Sequence, residues 1–145
     1  MTLPIATIGY EAAPMDAVLG KLKAARVELL IDVRAVASSR RAGFSKTLLA
    51  GSVEAQGVGY LHLRDLGTPK SGRMAARAGR TEEMHAIFAE HMQTAAALGA
   101  LEEAVRRSQS VRICLLCYEA DHRCCHREIV AEMISARTGA EVVHL

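Results

Sequence analysis

A chain of 145 residues, half of them apolar and 23% charged, is long enough to bury its own core and short enough to be a single domain, here taken as residues 1–145. No stretch approaches the ~18 apolar residues of a membrane span, and the first fifteen residues lack the basic start and apolar run of a secretory leader, so a cytoplasmic protein without a membrane partner is expected. Two Phe, three Tyr and no Trp argue against a base-stacking platform, and four cysteines gathered on one short stretch read as reduced thiols rather than as disulfide staples.

Along the chain, Ile5 to Gly9 is short and β-prone, and Pro14 followed by Met15, Val18, Leu19 and Leu22 starts a helix with apolar spacings of three and four. Val27 to Val33 is a nearly continuous apolar run, as expected of a parallel strand covered on both faces. A loop then leads to Ser45, a good N-cap for a helix through Leu48, Leu49 and Val53 that Gly57 can stop. Tyr60 to Leu63 predicts a third strand. Residues 64–80 hold no period, and their glycines, proline and basic side chains predict a long basic loop, read as a lid or ligand loop. Thr81 caps an amphipathic stretch to about Arg107, Val111 to Leu116 predicts a fourth strand, and Asp121 precedes a helix to Arg137. Gly139 ends that helix and Glu141 to Leu145 supplies a last strand. A Met and Leu face on the helix from Thr81 offers a homodimer contact, with core packing as its simpler use.

Strands alternating with helices imply a three-layer α/β domain with a mostly parallel sheet of about five strands and helices on both faces. Open parallel sheets bind ligands at the carboxyl ends of their strands. Those ends carry Gly9-Tyr10-Glu11, Asp32-Val33-Arg34, Arg64-Asp65 and Cys117-Tyr118-Glu119, most of the unusual polar residues of the chain. The net charge of +2 hides a basic middle: between Arg34 and Arg80 nine Lys or Arg face two acids, a local charge of +7. Such a patch predicts a localised anion-binding surface, with solvated loop cations as the plainer alternative.

The stretch from Cys114 to Glu128 holds all four cysteines. Cys114-x2-Cys117 has half of a zinc spacing, with His122, Cys124, Cys125 and His126 as further donors. Yet the pair brackets an apolar strand, where residues three apart point to opposite faces, so one metal does not hold both, and no metal or other cofactor is expected. Cys114 reads as core. On the following helix His126 projects near the centre of the apolar stripe, flanked by His122 and Cys125, with Cys124 facing solvent. The free amides of a helix N-terminus there attract an anion and lower a thiol pKa; a packed cysteine and a first-turn histidine bonded to a carbonyl is the structural alternative.

Several motifs together resemble the uncharacterised domain of unknown function 488. They are Thr7-Ile8-Gly9-Tyr10-Glu11, Asp32-Val33-Arg34, the run Ser39 to Lys46, Tyr60-Leu61-His62-Leu63, Leu66-Gly67-Thr68-Pro69-Lys70, and Cys117-x-Glu119 with Cys125-His126-Arg127. Ala37 and Ala42 stand where that family often has prolines. The resemblance implies a small α/β fold and assigns no catalytic residue. Cys117-x5-Arg123 also has the spacing of tyrosine phosphatases and rhodanese-like sulfurtransferases, although Glu119 and Asp121 stand where such loops need neutral or basic surroundings. That alternative requires an exposed, thiol-reactive Cys117.

The leading expectation is a small enzyme acting on a phosphate-bearing or otherwise anionic ligand, a nucleotide or nucleoside derivative. Arg34, Arg40, Arg41 and Arg127 would bind the anion and Lys70 close over it, with Gly9, Tyr10, Glu11, Tyr60 and Cys117 around the ligand. Glu119 or Asp32 would act as base or nucleophile, His126 as acid/base partner, and Cys125 as nucleophile or neighbour. A non-catalytic nucleic-acid-binding or regulatory module using the same basic middle is the rival, although no reading helix or stacking motif supports it.

Overall fold

The computed structural model describes residues 2–145; Met1, first in the stretch read for a leader, lies outside them. Among the described residues five strands form one parallel sheet in the order β3-β2-β4-β1-β5. They are β1 (Ile5–Gly9), β2 (Leu29–Asp32), β3 (Gly59–His62), β4 (Ile113–Cys117) and β5 (Val142–His144). Six helices connect them: α1 (Met15–Ala24), α2 (Lys46–Glu54), α3 (Lys70–Arg77), α4 (Thr81–His91), α5 (Ala95–Ser110) and α6 (Arg127–Thr138). None of the described helices is long and apolar enough to cross a membrane.

Side-chain alternation along the strands divides the core in two. Ile5, Leu29, Ile31, Ile113, Leu115 and Cys117 meet α4, α5 and α6 through Met84, Phe88, Leu101, Val130 and Ile134. Ala6, Ile8, Leu30, Cys114 and Leu116 meet α1 and α2 through Val18, Leu22, Leu49 and Val53. Cys114 and Cys117 therefore sit on opposite faces of β4, as three-residue spacing in a strand requires. Every residue of β4 is buried, and truncating one of its leucines to alanine costs about 2–5 kcal/mol.

Three sequence expectations need correction. Residues 64–80 are not a loop: a 3-10 turn spans Arg64–Leu66 and α3 follows. Helix α3 buries Gly72 and Ala75, and a Cβ on Gly72 would meet Thr68 Cγ2 at 2.3 Å, so the glycine that suggested a break serves close packing instead. The stretch from Thr81 is two helices, because Thr94 caps a new one by accepting from the Ala97 amide at 3.2 Å. Met84, Met92 and Leu101 of the suggested dimer face are in the core, and Leu98 is exposed. Finally, α6 begins only at Arg127, after a 3-10 turn at His122–Cys124. Gly139 closes it at φ 77° as expected.

The connections after β1 and β2 leave toward the α1/α2 face, whereas that after β4, the strand between them, leaves toward the α6 face. In open parallel sheets, the carboxyl ends of strands whose loops part in this way are where ligands bind.

Candidate functional site

The carboxyl end of β2 is a closed knot. Asp32, fully buried, accepts from Arg34 Nε at 2.9 Å and Nη2 at 2.7 Å, from the Arg34 amide at 3.1 Å, and from the Tyr60 hydroxyl at 2.5 Å. Arg34 Nη1 donates at 2.8 Å to both the Tyr10 hydroxyl and the Phe44 carbonyl. Tyr10 stacks on Phe44 with centroids 4.3 Å apart. Burial works against the charge of Arg34, but the hydrogen bonds and charge of Asp32 outweigh it and raise its pKa. Burial and the same carboxylate raise that of Tyr60. Donors and acceptors here are spent on one another.

The carboxyl end of β4 is built differently. Cys117, the last residue of the strand, donates to Glu119 Oε2 at 3.0 Å and lies 3.8 Å from His126 Nδ1; Cys125 Sγ lies 3.7 Å from the same nitrogen. His126 Nε2 donates to the Val33 carbonyl at 2.7 Å, which fixes the ring and turns Nδ1 toward the two sulfurs. Cys117, Cys125 and His126 are buried and Glu119 is half-buried. Burial alone would raise the Cys117 thiol, but the hydrogen bond from Cys125 and the charge of His126 bring it well below its ordinary value. Burial and the bond to Cys117 push Cys125 up. Glu119 is pushed up to about 7 by burial and by the charge of Cys117, and His126 is raised because Cys117 outweighs its burial. The four groups thus influence one another's charge, a pattern found at functional sites and in structural networks alike.

Arg127 holds this arrangement in place. Only 1% exposed, it donates to the Glu119 carbonyl, to the Ala120 carbonyl at 3.2 Å and to Thr7 Oγ1 at 3.3 Å, so it ties the loop after β4 to β1. That loop lies so close to β1 that a Cβ on Gly9 would stand 1.8 Å from the Glu119 carbonyl oxygen. Glu11 accepts from the Ala120 amide at 3.1 Å. Arg41 donates to the carbonyls of Tyr10, Glu11 and Ala13 at 3.1, 2.5 and 2.8 Å. Arg34, Arg41 and Arg127, expected to hold an anion, are thus engaged by the protein itself, while Arg40 and Lys70 are exposed.

A cavity of about 340 Å³ opens beside the ends of β2 and β3, lined among others by Ala35, Val36, Arg64, Thr68, Arg73 and His91. Arg73 donates to the Thr68 carbonyl at 2.8 Å and His91 Nε2 to that of Asp65 at 2.7 Å. Phe88 separates it from the β4 group, its ring centroid 6.0 Å from that of His91 and 5.1 Å from that of His126. Sequence reasoning put Arg64 at a strand end, counted Arg73 only as part of the basic middle and passed over His91; the Leu66 to Lys70 motif beside them was the available signal.

The structure therefore brings Cys117, Glu119, Cys125 and His126 together, gathers Asp32, Arg34, Tyr10 and Tyr60 into a separate knot, and puts Gly9, Glu11, Arg41 and Arg127 into the scaffold between. Cys117 is 5% exposed, so the exposed nucleophile required by a phosphatase-like or rhodanese-like reading is missing. Among the described residues two sets of side chains have donor atoms within 4.8 Å of one another and could hold a metal: Cys117 with Cys125 and His126, and His122 with Glu128 and His144.

A family model described as Domain of unknown function DUF488 matches residues 14–134. The span includes the β4 group and the Arg34 to Lys46 loop; the Thr7 to Glu11 motif lies before it. No curated protein and no solved structure matches the chain.

Proposed function

We propose that this chain, which belongs to the DUF488 family, is an enzyme that binds a phosphate-bearing ligand of the nucleotide class at the carboxyl edge of its sheet and moves a proton on it through Glu119. One observation carries the reading: a cavity bearing Arg64, Arg73 and His91 opens at the same edge of the sheet as the carboxyl, thiol and imidazole group, with Phe88 between them, so that a ligand anchored at the arginines would extend past Phe88 to Glu119. The guanidinium groups suit the fork geometry of a phosphate. Exposed Arg40 and Lys70 extend the positive field toward the solvent and raise the rate of encounter with an anion.

Glu119 is the proton-transfer group because it alone of the four combines half exposure with a direct bond to the buried set. His126 acts through Cys117 as its electrostatic neighbour. Asp32 has its oxygens taken by Arg34 and Tyr60 and stays a structural carboxylate in this reading. The free cysteines suit a reducing, cytoplasmic setting.

Calorimetric titration with inorganic phosphate and with nucleoside mono- and triphosphates tests the binding half. Arg64→Ala with Arg73→Ala should weaken binding at least tenfold, and Glu119→Gln should bind normally while losing turnover. Salt-sensitive binding of RNA or DNA by a protein that ignores mononucleotides would replace the enzyme reading with that of a nucleic-acid-binding module.

A further inference from the structure

We propose that Cys117, Cys125 and His126 form a binding site for one zinc ion, with Glu119 facing its fourth coordination position. The site stands whether or not the cavity takes a phosphate. Zinc bound at about 2.3 Å to sulfur and about 2.0–2.1 Å to nitrogen with tetrahedral angles holds an S–N pair roughly 3.5 Å apart. The Nδ1 of His126 lies 3.8 Å from Cys117 Sγ and 3.7 Å from Cys125 Sγ, so an ion needs shifts of only a few tenths of an ångström.

The surroundings are those that prepare ligands for a metal. His126 gives its Nε2 proton to the Val33 carbonyl, the outer-shell contact that leaves Nδ1 as the donor. The Arg127 amide, at the start of the 12-residue α6, donates to Cys125 Sγ at 3.4 Å, a contact that favours the thiolate. The donors come from two separate places, the end of β4 and the entry to α6, and Arg127 fastens the loop between them. Two sulfurs and an imidazole prefer zinc to magnesium or calcium.

Three protein ligands leave one position for water or substrate, as in catalytic zinc sites with two cysteines and a histidine. Glu119 Oε2, 3.0 Å from Cys117 Sγ, borders that position. The second convergent set is poorer: the His122 and His144 rings stack at 3.6 Å and 4°, so they face each other instead of a common point, and His144 Nδ1 is tied to Thr7 Oγ1 at 2.6 Å.

The test is metal binding by the full chain, read without activity. Chelator-stripped protein is titrated with Zn²⁺ against a chromophoric chelator, and with Co²⁺ as a spectroscopic probe. The expected result is one equivalent bound, a thiolate-to-cobalt charge-transfer band and the intense d–d bands of a tetrahedral ion. Cys125→Ser and His126→Ala should each weaken zinc by roughly 100-fold or more, at least what losing an outer-shell partner does, whereas Cys124→Ser should bind as before. Should the buried variants fail to fold, alkylation of the unaltered protein in mild urea, where the buried thiols become reachable in the absence of metal, decides: zinc should protect Cys117 and Cys125 and leave the exposed Cys124 reactive. Substoichiometric uptake, a cobalt spectrum without charge transfer, loss of zinc only on His122→Ala or His144→Ala, or zinc that fails to protect Cys117 and Cys125 would each overturn the site. Failure on any of these counts leaves phosphate binding at Arg64 and Arg73 untouched, so the two readings fall separately.

Discussion

The carboxyl ends of β2 and β4 are neighbours in the sheet, both crowded with polar side chains, and they spend those side chains in opposite ways. At β2 four protein donor groups converge on one carboxylate, and the arginine that pairs with it reaches a hydroxyl and a carbonyl as well. At β4 two sulfurs and a ring nitrogen converge within 4.8 Å of one another. A ligand arriving at β2 would have to break several short bonds to one carboxylate; one arriving at β4 would meet two sulfurs and a ring nitrogen held by longer contacts, mostly to one another. Polar richness at a strand end therefore covers two different arrangements, one closed around a single carboxylate and one in which convergent soft donors face one another.

The contrast breaks most decisively at Asp32. Replacing it by alanine leaves a buried guanidinium without its counter-charge and should cost about 3–5 kcal/mol in urea unfolding; a loss under 1 kcal/mol would mean that the knot is not structural. Tyr60→Phe removes one hydrogen bond to the same carboxylate, and about 1.5–3 kcal/mol of stability should go with it. At the other strand end the expected balance reverses. Glu119→Gln should lower turnover by about 10²- to 10⁴-fold, the usual worth of a positioned acid or base, with the unfolding midpoint nearly unmoved, so a Glu119 variant that unfolds easily yet turns over normally would exchange the roles of the two regions. Smallest of all, Arg40→Ala should change stability by no more than about 0.5 kcal/mol while slowing association with a phosphate ligand at low salt, an effect that stopped-flow measurement should see vanish as salt is raised.

Periodicity made the strands and their order along the chain readable, because β2 and β4 are continuous apolar runs and the helix between β1 and β2 repeats at three and four. The same alternation separated Cys114 from Cys117 before any contact was known. What stayed hidden depended on partners far away in sequence. Arg127 read as an anion ligand, yet its partner Thr7 lies 120 positions away and its other two bonds go to backbone carbonyls, which carry no sequence signature. The engagement of Arg34 was hidden for a similar reason, since Tyr10 and Phe44 accept from its Nη1. Gly72 looked like a loop residue because local propensity knows nothing of Thr68 pressed against it. The convergence of Cys117 with His126 was nearer to legible, as both fall at ends of elements facing the same crevice.

The place of β4 has a consequence for how the chain comes together. β1 and β2 are made early but do not touch; each is hydrogen-bonded to β4, with Ala6 opposite Cys114 and Leu30 opposite the same residue. Until residue 113 is available, only β2 and β3 among the strands have a neighbour to pair with. Closing a segment of more than a hundred residues is slow, so insertion of the middle strand should be the late, rate-setting event of folding. Its last residue is Cys117, which means that the cysteine and histidine group at this end of the sheet is assembled in the same step that completes the sheet, and a half-folded chain carries no half-made cluster.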